Sequence, residues 1–153
     1  MREIKFRGMR SDNKGWVHGY YFVELVGIRK AHSILVNTET KNIFEARQIQ
    51  YYIDSKTIGQ FTGLHDKNGK EIYEGDILRY PASEEWKETN YISYEVFYHD
   101  NDCANKHVGF QMNRMHFHGC MAGGACLAWL LPKYTKTMVI IGNIYQNPEL
   151  LEV

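Results

Sequence analysis

Met115–Cys126 (MHFHGCMAGGAC) holds the densest set of side chains able to do chemistry. His116, His118, Cys120 and Cys126 supply four nitrogen or sulfur donors within eleven residues. His99, Cys103 and His107 lie upstream. Four such donors suit tetrahedral zinc, and the glycines between them let a loop wrap an ion. His116 and His118, two residues apart, share a face if this stretch is a strand. The spacing points the other way, because Cys120 and Cys126 are too far apart for the Cys-x₂₋₄-Cys pairs of zinc knuckles. Cysteines of this kind also fill core space as small hydrophobes. The expectation is therefore no cofactor, with zinc at these four residues as the alternative.

Other chemistry finds less support. The carboxylate groups Glu71/Glu74/Asp76 and Asp100/Asp102 fall in turns and strand ends, where solvated acids are routine. None of the three cysteines stands at a recognisable nucleophile motif. Gly-x-Gly-x-x-Gly, Gly-Lys-Ser/Thr and His-Glu-x-x-His are all absent from the sequence, which removes the commonest nucleotide and metalloprotease readings. The reading leans away from an enzyme. Single-stranded nucleic acid needs aromatics beside a basic groove. Phe6, Trp16, Tyr20, Tyr21 and Phe22 stand near Lys5, Arg7 and Arg10. Against that, formal net charge is zero, and aromatics more often fill cores.

The charge balance hides an asymmetry. Residues 1–64 carry 10 Lys/Arg against 6 Asp/Glu, and residues 65–153 carry 8 against 12. Kept apart, a basic first part and an acidic second part would steer a partner or favour head-to-tail self-association, but charges of this kind more often intermix on the folded surface. Three cysteines, an odd number, fit a reduced compartment. With no apolar leader and no run near the ~20 apolar residues of a span, the expectation is a soluble cytoplasmic protein without membrane contact.

The elements that must position these groups read as strands. Aromatics make up 14% of the chain, with 11 Tyr and 7 Phe, and both residue types favour pleated surfaces. Phe6 and its neighbours alternate, Ser11–Gly15 is dense in turn formers, and Trp16–Leu25 reads as the returning strand. Gly19 inside it marks a bulge or a close backbone approach. His32–Val36 reads as a further strand; Ile43–Tyr52 partly fits a helical period, but its aromatics favour a strand. Asp66-Lys67-Asn68-Gly69-Lys70 predicts a hairpin with a type I′ turn at Asn-Gly. Gly75-Asp76 predicts a tight bend, and Pro81–Asn90 a solvated loop. Ile92–His99, Val108–Met112 and Thr135–Tyr145 read as strands. Ala122–Leu131 reads as a buried helix or collapsed loop halted by Pro132, and Asn147-Pro148 as a helix start. The fold class is mainly β (β-rich α+β): an N-terminal antiparallel portion at residues 1–64, then an SH3-like small barrel at residues 65–153 with short helical turns. One continuous domain is the alternative.

Four stretches carry a family likeness: Arg2–Gly8, Trp16–Tyr21, Thr57–Asp76 and Ile140–Leu151. The pattern GQFTGL at Gly59–Leu64, then DKNGKEIYEGD at Asp66–Asp76, with GNIY at Gly142–Tyr145 and NPELL at Asn147–Leu151, resembles the YopX family of phage and prophage proteins. The resemblance implies a phage or prophage gene product in the bacterial cytoplasm, mainly β in fold, and assigns no catalytic residue. The His/Cys cluster lies outside these stretches. The function expected is an accessory module binding a host or phage protein, or nucleic acid. The motif residues read first as a fold instruction: Gly63, Gly69, Gly75 and Gly142 suit turns, Ile72, Tyr73, Ile77 and Ile144 a core, and Asn143 and Asn147 backbone caps. The alternative is that Asp66, Glu74, Asp76 and Asn143 form an exposed polar recognition surface, with Lys5, Arg7 and Arg10 as the basic contacts. A structural homo-oligomer is the remaining alternative.

Overall fold

A computed structural model describes residues 3–38, 47–81, 93–100, 108–115 and 127–151. The chain is mainly β, and it divides into two compact units, Met1–Phe61 and Thr62–Val153.

In the first unit, β1 (Phe6–Met9), β2 (Trp16–Val26), β3 (Arg29–Asn37) and β4 (Gln48–Tyr52) pair antiparallel in sequence order. The Ser11–Gly15 turn takes left-handed φ at Asn13 and Gly15, as its composition favours. Past β4, a bridge joins Ile53 to Arg10, and the Asp54 N–H donates to the Met9 carbonyl at 2.9 Å. The end of β4 is thus brought back against β1, and the sheet curls on itself around Ile34 and Ile53, both buried. Asp54 caps a 3₁₀ turn at Ser55–Thr57 through the Lys56 N–H. The buried Thr57 hydroxyl accepts from the Met9 N–H at 2.9 Å. β5 (Gly59–His65) then pairs with β1 on its other side.

At Gly19, β2 and β3 lie in close contact. A Cβ there would overlap the Leu35 carbonyl oxygen and meet Ile34 Cγ2 at 3.1 Å. The close-approach reading of Gly19 is the one realised.

The second unit begins within β5, whose end runs beside β6 (Glu71–Tyr73); the Thr62 hydroxyl donates to the Ile72 carbonyl at 2.8 Å. β7 (Asp76–Arg79), β8 (Ser93–Asp100), β9 (Val108–Arg114), β10 (Leu127–Trp129) and β11 (Val139–Asn143) form a five-stranded antiparallel sheet in the order β10-β9-β8-β7-β11. Its core gathers Ile72, Leu78, Val96, Met112, Leu130 and Met138. Six side chains of this size each contribute roughly 1.5–3 kcal/mol on burial.

Three local expectations change. The Asp66–Lys70 turn is not type I′, because Gly69 has φ 80° while Asn68 does not enter the positive region. The Gly69 N–H donates to the Asp66 carbonyl, and the Asp66 N–H to the Lys70 carbonyl, at 3.0 and 2.8 Å. That is a three-residue loop, a type I turn closed by a left-handed glycine. Pro132 opens rather than halts a helix: α1 (Pro132–Thr135) starts there, and Leu127–Trp129 before it is strand. The missing proline N–H costs nothing at a first helical position. The strand expected from Thr135 therefore begins only at Val139. Pro148–Leu151 is a 3₁₀ turn, as Asn147-Pro148 suggests.

Candidate functional site

The expected polar recognition surface of the second unit is built into the fold instead. Asp66 is buried. One of its carboxylate oxygens accepts from the Asn68 and Lys70 N–H groups at 2.8 and 2.9 Å, and the other from the Ile140 N–H at 3.1 Å. It ties the hairpin turn to β11. Asp76 is 1% exposed and accepts from the Tyr73 N–H at 2.8 Å, fixing the bend at Gly75. Asn143 is also buried; its side-chain oxygen accepts from the Tyr145 and Gln146 N–H groups, both at 3.0 Å. Gly142, expected to serve a turn, lies in β11 and leaves room for the Asn147 side-chain amide. Asp66, Asp76 and Asn143 thus act as the fold-instruction reading expects, and the exposed surface given as its alternative is corrected. A short acid in a turn finds backbone N–H donors closer than any partner.

Glu74 is half-buried. Burial raises the Glu95 carboxyl above its ordinary value of 4.5, and the charge of Glu74 adds to the rise. An acid with a raised folded value contributes stability below its unfolded value, and that contribution is lost as pH rises through the folded one. Glu95→Gln is thus expected to raise the melting temperature at pH 7 and leave it unchanged near pH 4. Thermal melts at the two pH values check this.

In the first unit, Lys5, Arg7 and Arg10 are engaged by their own neighbours. Arg7 is buried, with its guanidinium 4.9 Å from the Trp16 ring centre. Lys5 Nζ lies 5.4 Å from the Phe61 ring centre and 3.9 Å from Glu3. Arg10 lies over Tyr51 at 4.5 Å and donates to Asp12 at 2.5 Å. Arg7 is thus withdrawn from any basic groove, because its apolar stem and flat head pack on an indole.

Arg10 and Asp12 also line a cleft of about 360 Å³ with Ser11, Gln50, Tyr51 and Tyr52. Desolvation would raise the Asp12 carboxyl, but the Lys14 N–H, the Arg10 hydrogen bond and both cations outweigh it and hold it below the ordinary value of 3.8. The cleft's one guanidinium is therefore matched by an ionised carboxylate. A phosphate entering here meets Asp12 as well as Arg10, so the cleft is poorly suited to a nucleic-acid backbone.

What the sequence reading missed is the hairpin joining β2 to β3. Val26 pairs with Arg29, leaving a two-residue loop, Gly27-Ile28. Gly27 has φ 64° and Ile28 is outside the positive region, the type II′ arrangement that Gly-x loops favour. β1 pairs with β2 only over Trp16–Gly19, and β4 with β3 only over Ser33–Asn37. The His32 carbonyl still accepts from the Ile53 N–H at 3.0 Å, and residues beyond it, Glu24–Ala31, form a two-stranded arm. Its apolar side chains face solvent: Leu25 is 74%, Val26 56% and Ile28 100% exposed. Arg29 and Lys30 stand beside them, also exposed. The signal was available as Gly-x between alternating residues; the reading placed strands on both sides and left the turn unassigned.

His116, His118, Cys120 and Cys126 lie outside the described residues, as do Cys103 and His107. Among the described residues no group of three or more His, Cys, Asp or Glu is placed to hold a metal. No helix among them is long and apolar enough to cross a membrane.

Two comparisons with known proteins bear on this architecture. The solved structure of protein EF1440 from Enterococcus faecalis is 25% identical, with a TM-score of 0.56 over 99% of this chain and 100% of that one. No curated protein matches. The model of the YopX protein family matches residues 5–152, so every strand described above falls within it. The chain belongs to the YopX family.

Proposed function

We propose that this is a phage- or prophage-encoded accessory protein of the bacterial cytoplasm that works by binding another protein through the β2–β3 arm. One observation carries the reading. A two-stranded ribbon is marginally stable alone, yet this one holds Leu25, Val26 and Ile28 in water. Exposed apolar clusters of that kind mark association sites. Single exposed aliphatic residues are ordinary; three at one hairpin tip are not. The phage origin is the expectation that the family likeness brings.

A protein is favoured over nucleic acid by the same geometry. Arg7 is packed against Trp16, and Arg10 is matched by Asp12. The arm tip is aliphatic, without the aromatic faces on which bases stack. The expected result is no retention on single- or double-stranded DNA at low salt. Partner recovery from the producing bacterium should fall at least about tenfold, or ~1.4 kcal/mol, in Leu25→Ser/Ile28→Ser, with the circular dichroism unchanged. Salt-sensitive retention on DNA, or recovery indifferent to the arm, contradicts the reading.

A further inference from the structure

We infer that Asn68-Gly69 is a self-modifying site, an asparagine that deamidates by attack of the Gly69 main-chain nitrogen, and that the Asp66 clasp sets its rate. The site lies in the second unit and owes nothing to the arm. Asn68 is the one asparagine of the sequence followed by glycine. Glycine has no side chain to shield its nitrogen, and both residues are exposed to water. A Cβ on Gly69 would meet nothing within 4 Å, so packing does not shield the glycine either.

The reaction needs only water. The Gly69 nitrogen bonds to the Asn68 side-chain carbonyl carbon, and the bond from that carbon to the amide nitrogen breaks. Ammonia leaves, carrying the proton that Gly69 gives up. Water then opens the cyclic imide at one of its two carbonyls. Opening at the former side-chain carbon gives aspartate. Opening at the main-chain carbon gives isoaspartate, whose main chain runs through the side chain and is longer by a methylene.

The folded turn opposes this in two ways. Asn68 is the third residue of a type I turn, where ψ is about 0°. The Gly69 nitrogen then eclipses the Asn68 nitrogen rather than Cβ, and the reacting atoms are held apart. In addition, each N–H of the loop already has an acceptor. The Lys67 N–H donates to the Met138 carbonyl at 2.9 Å, and the Asn68 and Lys70 N–H groups to one Asp66 carboxylate oxygen at 2.8 and 2.9 Å. The attacking group itself, the Gly69 N–H, donates to the Asp66 carbonyl at 3.0 Å. Turning ψ of Asn68 into line pulls Gly69 and Lys70 off Asp66, so the chemistry waits on the clasp opening.

The product does not restore the clasp. An added methylene changes the separation of the Asn68 and Lys70 N–H groups, which share one oxygen. A new carboxylate also stands beside buried Asp66. The other Asp66 oxygen holds the Ile140 N–H at 3.1 Å, so the change reaches β11. Modification therefore loosens the hairpin from the sheet.

The full chain, held in mildly alkaline buffer with and without urea, tests this by mass spectrometry of the peptide bearing Asn68. Aspartate and isoaspartate should form at least about tenfold more slowly in the folded chain, the order set by hydrogen bonds that must open first. Asp66→Asn, which keeps one acceptor oxygen, should speed the reaction severalfold. Gly19→Ala, which strains the first unit, should leave the rate as in wild type. The isoaspartyl form, prepared in urea and refolded, should unfold at lower urea than Asn68→Asp, which carries the charge on a main chain of normal length. Equal rates in folded and unfolded chains overturn the inference. So does a wild-type rate in Asp66→Asn, equal acceleration in Gly19→Ala, or an isoaspartyl form as resistant to urea as Asn68→Asp.

Discussion

Asp66→Ala is expected to lower the unfolding free energy by about 3 kcal/mol, the order set by losing three hydrogen bonds worth ~0.5–1.5 kcal/mol each. Three backbone N–H groups lose their acceptor at once: those of Asn68, Lys70 and Ile140. The first two close the hairpin loop, and the third fastens that loop to β11, 74 residues away in the chain. Asp66→Asn keeps one acceptor oxygen and should fall between alanine and wild type. Urea unfolding followed by circular dichroism checks the order. Equal stability of Asp66→Ala and wild type would mean that water replaces the carboxylate, and that Asp66 is not the clasp described here.

The second large effect is in the first unit. Gly19→Ala places a methyl group on the Leu35 carbonyl oxygen, and neither is the far end of a flexible side chain. Relief requires β2 and β3 to separate at the point where both feed the arm. The expected loss is about 3 kcal/mol or more, at the upper end of overpacking costs because backbone must move. Amide exchange should accelerate first in β1 to β4, while the core amides around Val96 and Met112 keep wild-type protection. A Gly19→Ala protein of wild-type stability would contradict the close strand approach.

These two residues also show what could be read from sequence. Gly19 interrupts an apolar run, and the rule that such a glycine marks a bulge or a close approach held. Strand existence was legible wherever aromatic and β-branched residues alternate, as in Ser93–Asp100 and Val108–Arg114. Asn68-Gly69 announced a hairpin but not its loop length. The type I′ and three-residue loops share the same glycine, and the choice is made by the Asp66 carboxylate reaching Asn68 and Lys70. The family pattern around Asp66, Asp76 and Asn143 read as turns and caps, with a polar surface as the alternative because those residues are hydrophilic. Their burial depends on backbone donors brought from β11 and from adjacent turns, which no local pattern displays. The arm was hidden for the opposite reason. Leu25, Val26 and Ile28 look like ordinary strand residues, and their exposure follows only from β1 and β4 stopping short.

The arm as a protein-docking element is most directly tested by a photo-cross-linking amino acid placed at Ile28 in the full chain, inside the producing bacterium. Irradiation should give a protein adduct of discrete mass, of twice the chain's mass if the partner is a second copy. The same amino acid at the exposed Leu151 should give none. No adduct at Ile28 above the Leu151 background, or an adduct removed by nuclease, would contradict it.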